Sequence, residues 1–292
     1  MSVFSAIIQA IIQGLTEFLP VSSSGHLSLY QHFTGNSGEG ALMFSALLHL
    51  GTLAAVCCVF YKQIYELIME FGRMVKDIFQ GQFSIRKASP SRRLLFMYII
   101  STAMLIPFVI FKGVFESFAE DQSILMEGIC FLYTSAILFM ADRMSKGGKR
   151  SYNVNEKDAA TIGFFQGVAL LPGVSRSGST ISAGLFCGLT RETAVSYSFI
   201  LGIPAILGGC LIEVKDGIAE KADIGVLPCI IGFIVAALVG FLAIRLVQWL
   251  IKSNKFKIFS IYTGVLGAVV IIIAIVEAII GHPLFAAAAT AA

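Results

Sequence analysis

Two stretches decide how this chain folds: QGLTEFLPVSSSGH at residues 13–26 and QGVALLPGVSRSGS at residues 166–179. Laid on each other with a shift of 153 residues and no gap, they agree at six of fourteen positions: Gln13/Gln166, Gly14/Gly167, Val21/Val174, Ser22/Ser175, Ser24/Ser177 and Gly25/Gly178. The same shift carries FSALLHLGT (44–52) onto YSFILGIPA (197–205) and keeps Ser45/Ser198 and Leu48/Leu201. One offset shared by separate segments points to a duplicated unit rather than to chance matches in an apolar chain.

The surrounding composition says where such a unit lives. Of 292 residues, 57% are apolar and 13% are Asp, Glu, Lys or Arg, about half the roughly 25% charge of a soluble domain. Mean hydropathy is +0.84. These values exclude a soluble enzyme and a disordered chain, and the net charge of +3 is too small for a nucleic-acid footprint. The six cysteines lie in apolar runs without a C-x-x-C pair and are read as buried helical thiols. Val3–Leu19 lacks a basic leader and contains Gln9, Gln13 and Glu17, so it is not read as a cleaved signal peptide. The terminal AAAATAA is expected to fray.

About 20 apolar residues cross a bilayer core, which predicts six spans at about 41–61, 94–111, 124–141, 194–212, 226–250 and 258–280. Residues 3–19 and 159–171 are shorter, and each runs into a Pro/Gly/Ser cluster, PVSSSGH or PGVSRSGST, before another short run near 27–33 or 181–189. A helix that breaks and returns at membrane depth describes a re-entrant hairpin, tolerated where it lines a protein-enclosed cavity. Connections 62–93, 142–158 and 251–257 hold fifteen Lys and Arg, against three in 112–123 and 213–225. That bias places the first set in the cytoplasm, with Ile64–Phe79 as an amphipathic helix on the inner surface. The first hairpin then enters from the outer face and the second from the inner face.

The expected fold class is an all-α polytopic membrane protein: an inverted-topology repeat of about six transmembrane helices plus two re-entrant helix hairpins, with its polar site near the midplane. It forms one integral domain, with repeat one at about 1–141, repeat two at about 159–280 and a cytoplasmic linker at about 142–158.

Polar side chains inside a membrane are expensive and are read first as functional. The two breaks offer Glu17, Ser22, Ser23, Ser24, Gly25 and His26 on one side, and Ser175, Arg176, Ser177, Gly178, Ser179 and Thr180 on the other. Each S-x-S-G opens a helix whose free N–H groups and positive end suit an anion. An arginine that grips oxygens bidentately completes a phosphate or pyrophosphate site. His26 is suited to proton transfer near neutrality, and Ser23, three residues earlier, is expected to contact its imidazole. Gln13 lies one turn before Glu17 on the same face. Three roles stay open for Glu17: orienting His26, acting as base, or helping to hold a divalent cation. One carboxylate is a poor all-protein metal site, so Mg²⁺ or Ca²⁺ would take most ligands from the substrate. Structural readings stand beside these: the serines as partners for backbone carbonyls, and Arg176 as an ion-pair partner of Glu17. His49 is read as either a supporting or a core residue, and Arg245 and Glu277 as snorkelling groups near span ends.

Together, GLTEFLPVSSSGH and PGVSRSGST resemble the paired signature motifs of the bacterial undecaprenyl-diphosphatase, or bacitracin-resistance, family. The likeness extends over nearly the whole chain, including FSALLHLGT and SYSFILGIPAILGG. It implies removal of the terminal phosphate of undecaprenyl pyrophosphate, recycling the lipid carrier for cell-wall synthesis, with a divalent cation, in the bacterial plasma (inner) membrane. The family's E/Q-x-x-x-E motif falls on Gln13 and Glu17, and P-V-S-S-x-G-H on Pro20, Val21, Ser22, Ser23, Gly25 and His26. The second motif falls on Pro172, Gly173, Ser175, Arg176, Ser177, Gly178 and Thr180. Glutamine at position 13 leaves one carboxylate in the first motif. The resemblance points to Glu17, Ser23, His26 and Arg176 as catalytic residues. Gln13, Ser22, Ser24, Gly25, Ser175, Ser177, Gly178 and Thr180 are read as the phosphate-binding set. Serine, histidine and activated water all remain open as nucleophile. The alternative function is a polyprenyl-phosphate flippase or other secondary transporter on the same inverted repeat. A PAP2-type lipid phosphatase is excluded, because its K-x6-R-P motif is missing and Ala286 stands where its aspartate should follow His282.

Overall fold

The computed structural model describes residues 1–35, 41–82, 89–111, 113, 123–144, 147–220, 225–252 and 255–284. Twelve α-helices occur among them: α1 (Val3–Phe18), α2 (Ser23–Thr34), α3 (Ala41–Val59), α4 (Tyr61–Phe79), α5 (Pro90–Ala103), α6 (Ile106–Ile110), α7 (Leu125–Met144), α8 (Glu156–Val168), α9 (Arg176–Phe186), α10 (Arg191–Glu220), α11 (Val226–Lys252) and α12 (Lys257–Ile280). Among the described residues β structure is limited to an isolated bridge between Lys149 and Leu189. Six helical segments are long and apolar enough to span a membrane: Leu42–Val59, Pro90–Ile110, Leu125–Met144, Arg191–Lys215, Val226–Ile251 and Lys257–Ile280. These are the six stretches expected from hydropathy. The protein is a multi-pass, all-helical membrane protein.

Local chemistry sets the helix boundaries. Pro20 disfavours helical backbone in the residue before it, and α1 ends at Phe18 with Leu19 already extended. The chain then turns through Ser22, whose φ of 73° is the only left-handed value outside glycine among the described residues. Ser22 caps α2 by accepting a hydrogen bond from the Gly25 N–H at 3.3 Å. The second break repeats this device: Gly173 takes φ 89°, and the Ser175 hydroxyl accepts from the Gly178 N–H at 3.0 Å to cap α9. At the start of α8, Asn155 and Asp158 form a reciprocal capping box.

Packing follows a paired pattern. Helix α1 lies on α11 as α8 lies on α5, while α3 meets α10 and α7 meets α12. The largest apolar cluster includes Phe18, Tyr197, Phe199, Leu201, Ile244 and Val247. Many large apolar residues point outward, among them Leu211, Leu238, Leu242, Val265 and Ile272, as expected of a surface solvated by lipid rather than water. Cys57 and Cys58 are also on this surface rather than buried. Glu277 does not snorkel: it pairs with His32 at 3.0 Å and is largely enclosed. Helix α4 carries the expected amphipathic segment. Arg92 at the start of α5 ties it down through Glu70 at 2.6 Å and Asp77 at 2.7 Å.

The α3–α11 crossing depends on Gly51, where a Cβ would sit 2.7 Å from the Phe233 carbonyl oxygen and 3.0 Å from the Ala236 methyl group. Gly51→Val is expected to destabilise the fold by about 1–3 kcal/mol through overpacking, seen as a lower unfolding temperature of the purified protein in detergent.

Candidate active site

The two breaks meet. The Ser24 hydroxyl accepts from the Gly173 N–H at 3.2 Å, and the Ser177 hydroxyl donates to the Leu19 carbonyl at 3.1 Å. Ser24 and Ser177 are related by the 153-residue shift, so each loop grips the other through corresponding residues. Inside each loop the correspondence continues, with Ser22 Oγ to Ser24 Oγ and Ser175 Oγ to Ser177 Oγ both 3.4 Å.

Between the loops lies a cavity of about 220 Å³, whose wall includes Glu17, Ser22, Ser23, Ser24, Ser175, Arg176 and Ser177. Glu17, on the last turn of α1, is its hub. Its Oε1 accepts from Arg176 Nη2 at 2.6 Å. Its Oε2 accepts from the Ser23 hydroxyl at 2.8 Å and from Gln13 Nε2 at 2.9 Å. Glu17 retains 7% of its possible exposure and Gln13 none, so the ion pair is shielded from solvent and its hydrogen bonds are strong. Arg176 is seated against Gly202, where any Cβ would overlap the guanidinium.

Not every expected residue reaches this cavity. His26 does not line it. Its Nδ1 donates to the Ser22 carbonyl at 2.7 Å, and its Nε2 accepts from the Tyr262 hydroxyl at 2.7 Å. The expected Ser23–His26 contact is therefore replaced by two separate ones, Ser23 to Glu17 and His26 to Tyr262. Ser23 and His26 are only about 60° apart around the helix at 100° per residue, and their partners draw them apart: Ser23 bonds Glu17 of α1, while His26 packs on Phe131 of α7 and Tyr262 of α12. Gly25 lies against the Phe131 ring and Gly178 against Ser175 and Thr134, so both serve close packing rather than the cavity wall. Thr180 is held by the Arg176 carbonyl at 2.9 Å and the Ser198 hydroxyl at 2.6 Å, likewise away from the wall. Gln13 supports Glu17 from behind.

The cavity also contains residues that the loop motifs do not reveal. His49 of α3 and Glu213 of α10 line it. His49 Nε2 stands 3.8 Å from Glu17 Oε2, and His49 Nδ1 stands 3.4 Å from Glu213 Oε2. Position 213 falls just past the sequence-defined span, in what reads as an outer connection. Helix α10 continues to Glu220 and carries the carboxylate inward. A larger apolar cleft of about 560 Å³ uses Ile200, Leu201, Ile203 and Pro204 of the same helix. At 100° per residue these lie on the face opposite Ala205, Ile206, Gly209, Cys210 and Glu213, so the two cavities are separate.

Residues 6–269 match the model of the family described as bacitracin resistance protein BacA. The chain belongs to that family. Among similar curated proteins, the undecaprenyl-diphosphatase of Alkaliphilus metalliredigens is 40% identical over 93% of this chain and 98% of its own length. That of Methanosphaera stadtmanae is 38% identical over 94% and 99%, and that of Treponema denticola 39% identical over 91% and 96%. The family match therefore covers both loops and reaches into the last span.

The donor set does not fit a resident metal ion. Among the described residues no group of three or more His, Cys, Asp or Glu is arranged to hold one. Both oxygens of Glu17 are already occupied, one by a guanidinium, whose charge opposes a dication there. The expectation that Glu17 ligates a metal is not supported by this geometry.

Removing one partner from a buried ion pair leaves the other charge uncompensated. Glu17→Gln is expected to destabilise the protein by on the order of 3 kcal/mol, and Glu17→Gln combined with Arg176→Met should recover part of that loss. Thermal unfolding of the single and double variants in detergent measures both.

Proposed function

We infer that this protein is an undecaprenyl-diphosphatase: it hydrolyses undecaprenyl pyrophosphate to undecaprenyl phosphate and inorganic phosphate. The observation that carries the reading is the Ser23–Glu17–Arg176 constellation, in which a hydroxyl, a carboxylate base and a phosphate-gripping cation are assembled from both loops. The names of the similar curated proteins favour hydrolysis over the transporter alternative. The product is the lipid carrier reused in cell-wall synthesis, and its regeneration accounts for resistance to bacitracin. The setting is the bacterial plasma membrane, with the basic connections on the cytoplasmic side. The architecture is an inverted repeat with two re-entrant hairpins; its support is the constant 153-residue offset, the paired helix packing and the matching cap geometry of the two loops.

The reaction follows from the geometry. A diphosphate in the cavity meets the Arg176 guanidinium, which has five donors and gives one to Glu17. It also meets the first turns of α2 and α9, whose leading N–H groups have no carbonyl one turn back. Ser22, Ser24, Ser175 and Ser177 shape this rim. Glu17 Oε2 draws the proton from Ser23 Oγ, and the oxygen attacks the terminal phosphorus. The bridging P–O bond breaks with its electron pair leaving on the prenyl phosphate. Water then releases phosphate from Ser23 and restores the hydroxyl. Charge stabilisation dominates such a transfer. His26 holds the Ser22 carbonyl and so maintains the left-handed turn that aims Ser23 at Glu17. A divalent cation enters only as a counter-ion carried by the diphosphate oxygens, and no step above depends on one.

Phosphate release from a prenyl diphosphate by the purified protein tests the activity; movement of the lipid without release would overturn it. Ser23→Ala and Arg176→Ala are each expected to lower kcat/KM by at least 100-fold, in line with the loss of one transition-state interaction. Gly202→Ala should do so by displacing the guanidinium. Acid quenching during turnover should leave the phosphoryl label on Ser23; label on His26 would refute this assignment of the nucleophile.

A further inference from the structure

Helix α3 brings an imidazole to the cavity, and neither loop motif includes it. His49 sits between two carboxylates that arrive on different helices, Glu17 on α1 and Glu213 on α10. The contacts are ordered by atom. Glu17 uses Oε1 for Arg176 and Oε2 for Ser23, and it is Oε2 that faces His49 Nε2 at 3.8 Å. On the far side, Ser45 donates to Glu213 Oε1 at 3.3 Å and its oxygen lies 3.5 Å from His49 Nδ1. Glu213 Oε2 is buried without a hydrogen-bond partner and stands 3.4 Å from that same Nδ1. A buried carboxylate oxygen left without a donor beside an imidazole nitrogen calls for explanation. A proton held at Nδ1 supplies the missing donor after a small ring rotation.

We propose that His49, held by Glu213 and Ser45, is the relay that takes the proton released from Ser23 through Glu17 and passes it on toward the outer end of α10. The inference rests on the phosphatase reading above. Its chemical balance is simple. Formation of the Ser23–phosphorus bond frees one proton, and prenyl phosphate, a stable anion, leaves without it. A proton kept on Glu17 would remove the counter-charge of Arg176. The charged side chains of the cavity wall are Glu17, Arg176 and Glu213, which sum to one negative charge while His49 is neutral. Transfer to His49 Nε2 brings the wall to neutrality and sets the imidazolium between two carboxylates. The 3.8 Å approach exceeds a hydrogen bond and is spanned by tightening on substrate binding or by one water. The titratable and charged groups facing His49 are Glu17 from α1, Arg176 from α9, and Glu213 and Cys210 from α10.

Sequence symmetry isolates the feature. The shift of 153 places His49 opposite Gly202, Ser23 opposite Arg176 and Glu17 opposite Leu170. Ser23, Glu17 and His49 therefore lie in one half, while the other supplies Glu213 and, at the positions matching Ser23 and His49, the anion grip and the space for it.

The test uses the full-length protein in detergent, with His49→Gln as a near-isosteric variant and its fold checked by thermal unfolding. The expected result is a kcat lowered tenfold or more with KM within threefold, and loss of the acid limb expected in the wild-type kcat–pH profile. Glu213→Gln should lower kcat in the same direction, and the double variant should be no slower than His49→Gln alone. The relay is overturned by a kcat loss below tenfold, by an unaltered acid limb, or by losses that multiply in the double variant. Absence of phosphate release by the wild type would instead remove the phosphatase reading itself. If His49→Gln does not fold, Glu213→Gln and Ser45→Ala decide the matter: an unchanged acid limb in both overturns the relay, and a displaced limb supports it.

Discussion

The ion pair between Glu17 and Arg176 is the interaction on which the rest of the structure depends. Each partner sits at a break in a helix, 159 residues apart in the chain, and neither charge is tolerable alone at membrane depth. Their pairing requires that both helices stop where they do. It also requires the two serine caps to turn the chain, and Gly202 to leave room for the guanidinium. The loops then lock through Ser24 with Gly173 and Ser177 with Leu19. A charge pair that would be a modest contribution in water becomes, in this setting, the reason for the local backbone geometry.

The same constraint organises the chemistry. Because Arg176 occupies one oxygen of Glu17, the other is left to Ser23, Gln13 and the approach of His49. The strained φ of Ser22 fits this picture. Backbone in a sparsely populated region persists where surrounding contacts over-determine it, and here His26 and Tyr262 brace the Ser22 carbonyl from behind. His26 thus acts on the cavity through the Ser22 backbone rather than by lining it.

The two loops share a frame but not their charged side chains. Corresponding serines cap corresponding helices and reach across to the opposite loop, yet the side chains that carry charge are not matched across the halves. Glu17 faces Leu170 in the alignment, and Ser23 faces Arg176. Two equal loops would have placed two carboxylates or two arginines in one cavity, where like charges repel. An asymmetric pair gives both an anion grip and a base.

The class, the six spans, the two breaks and the residues Glu17, Ser23 and Arg176 are legible along the chain, because each leaves a local signal: length of apolar run, Pro and Gly punctuation, and polar groups where hydrocarbon should be. Which of those residues meet is set by packing. His26 is held by Tyr262 of α12 rather than by Ser23, and Gly25, Gly178 and Thr180 pack outside the cavity wall. His49 stood as an undecided mid-span residue, and Glu213 read as part of a connection. Their place in the cavity depends on how α3 and α10 cross and on how far α10 continues beyond its apolar stretch. Periodicity along one helix reveals which residues share a face, whereas the neighbour that face meets is set by packing between segments more than a hundred residues apart.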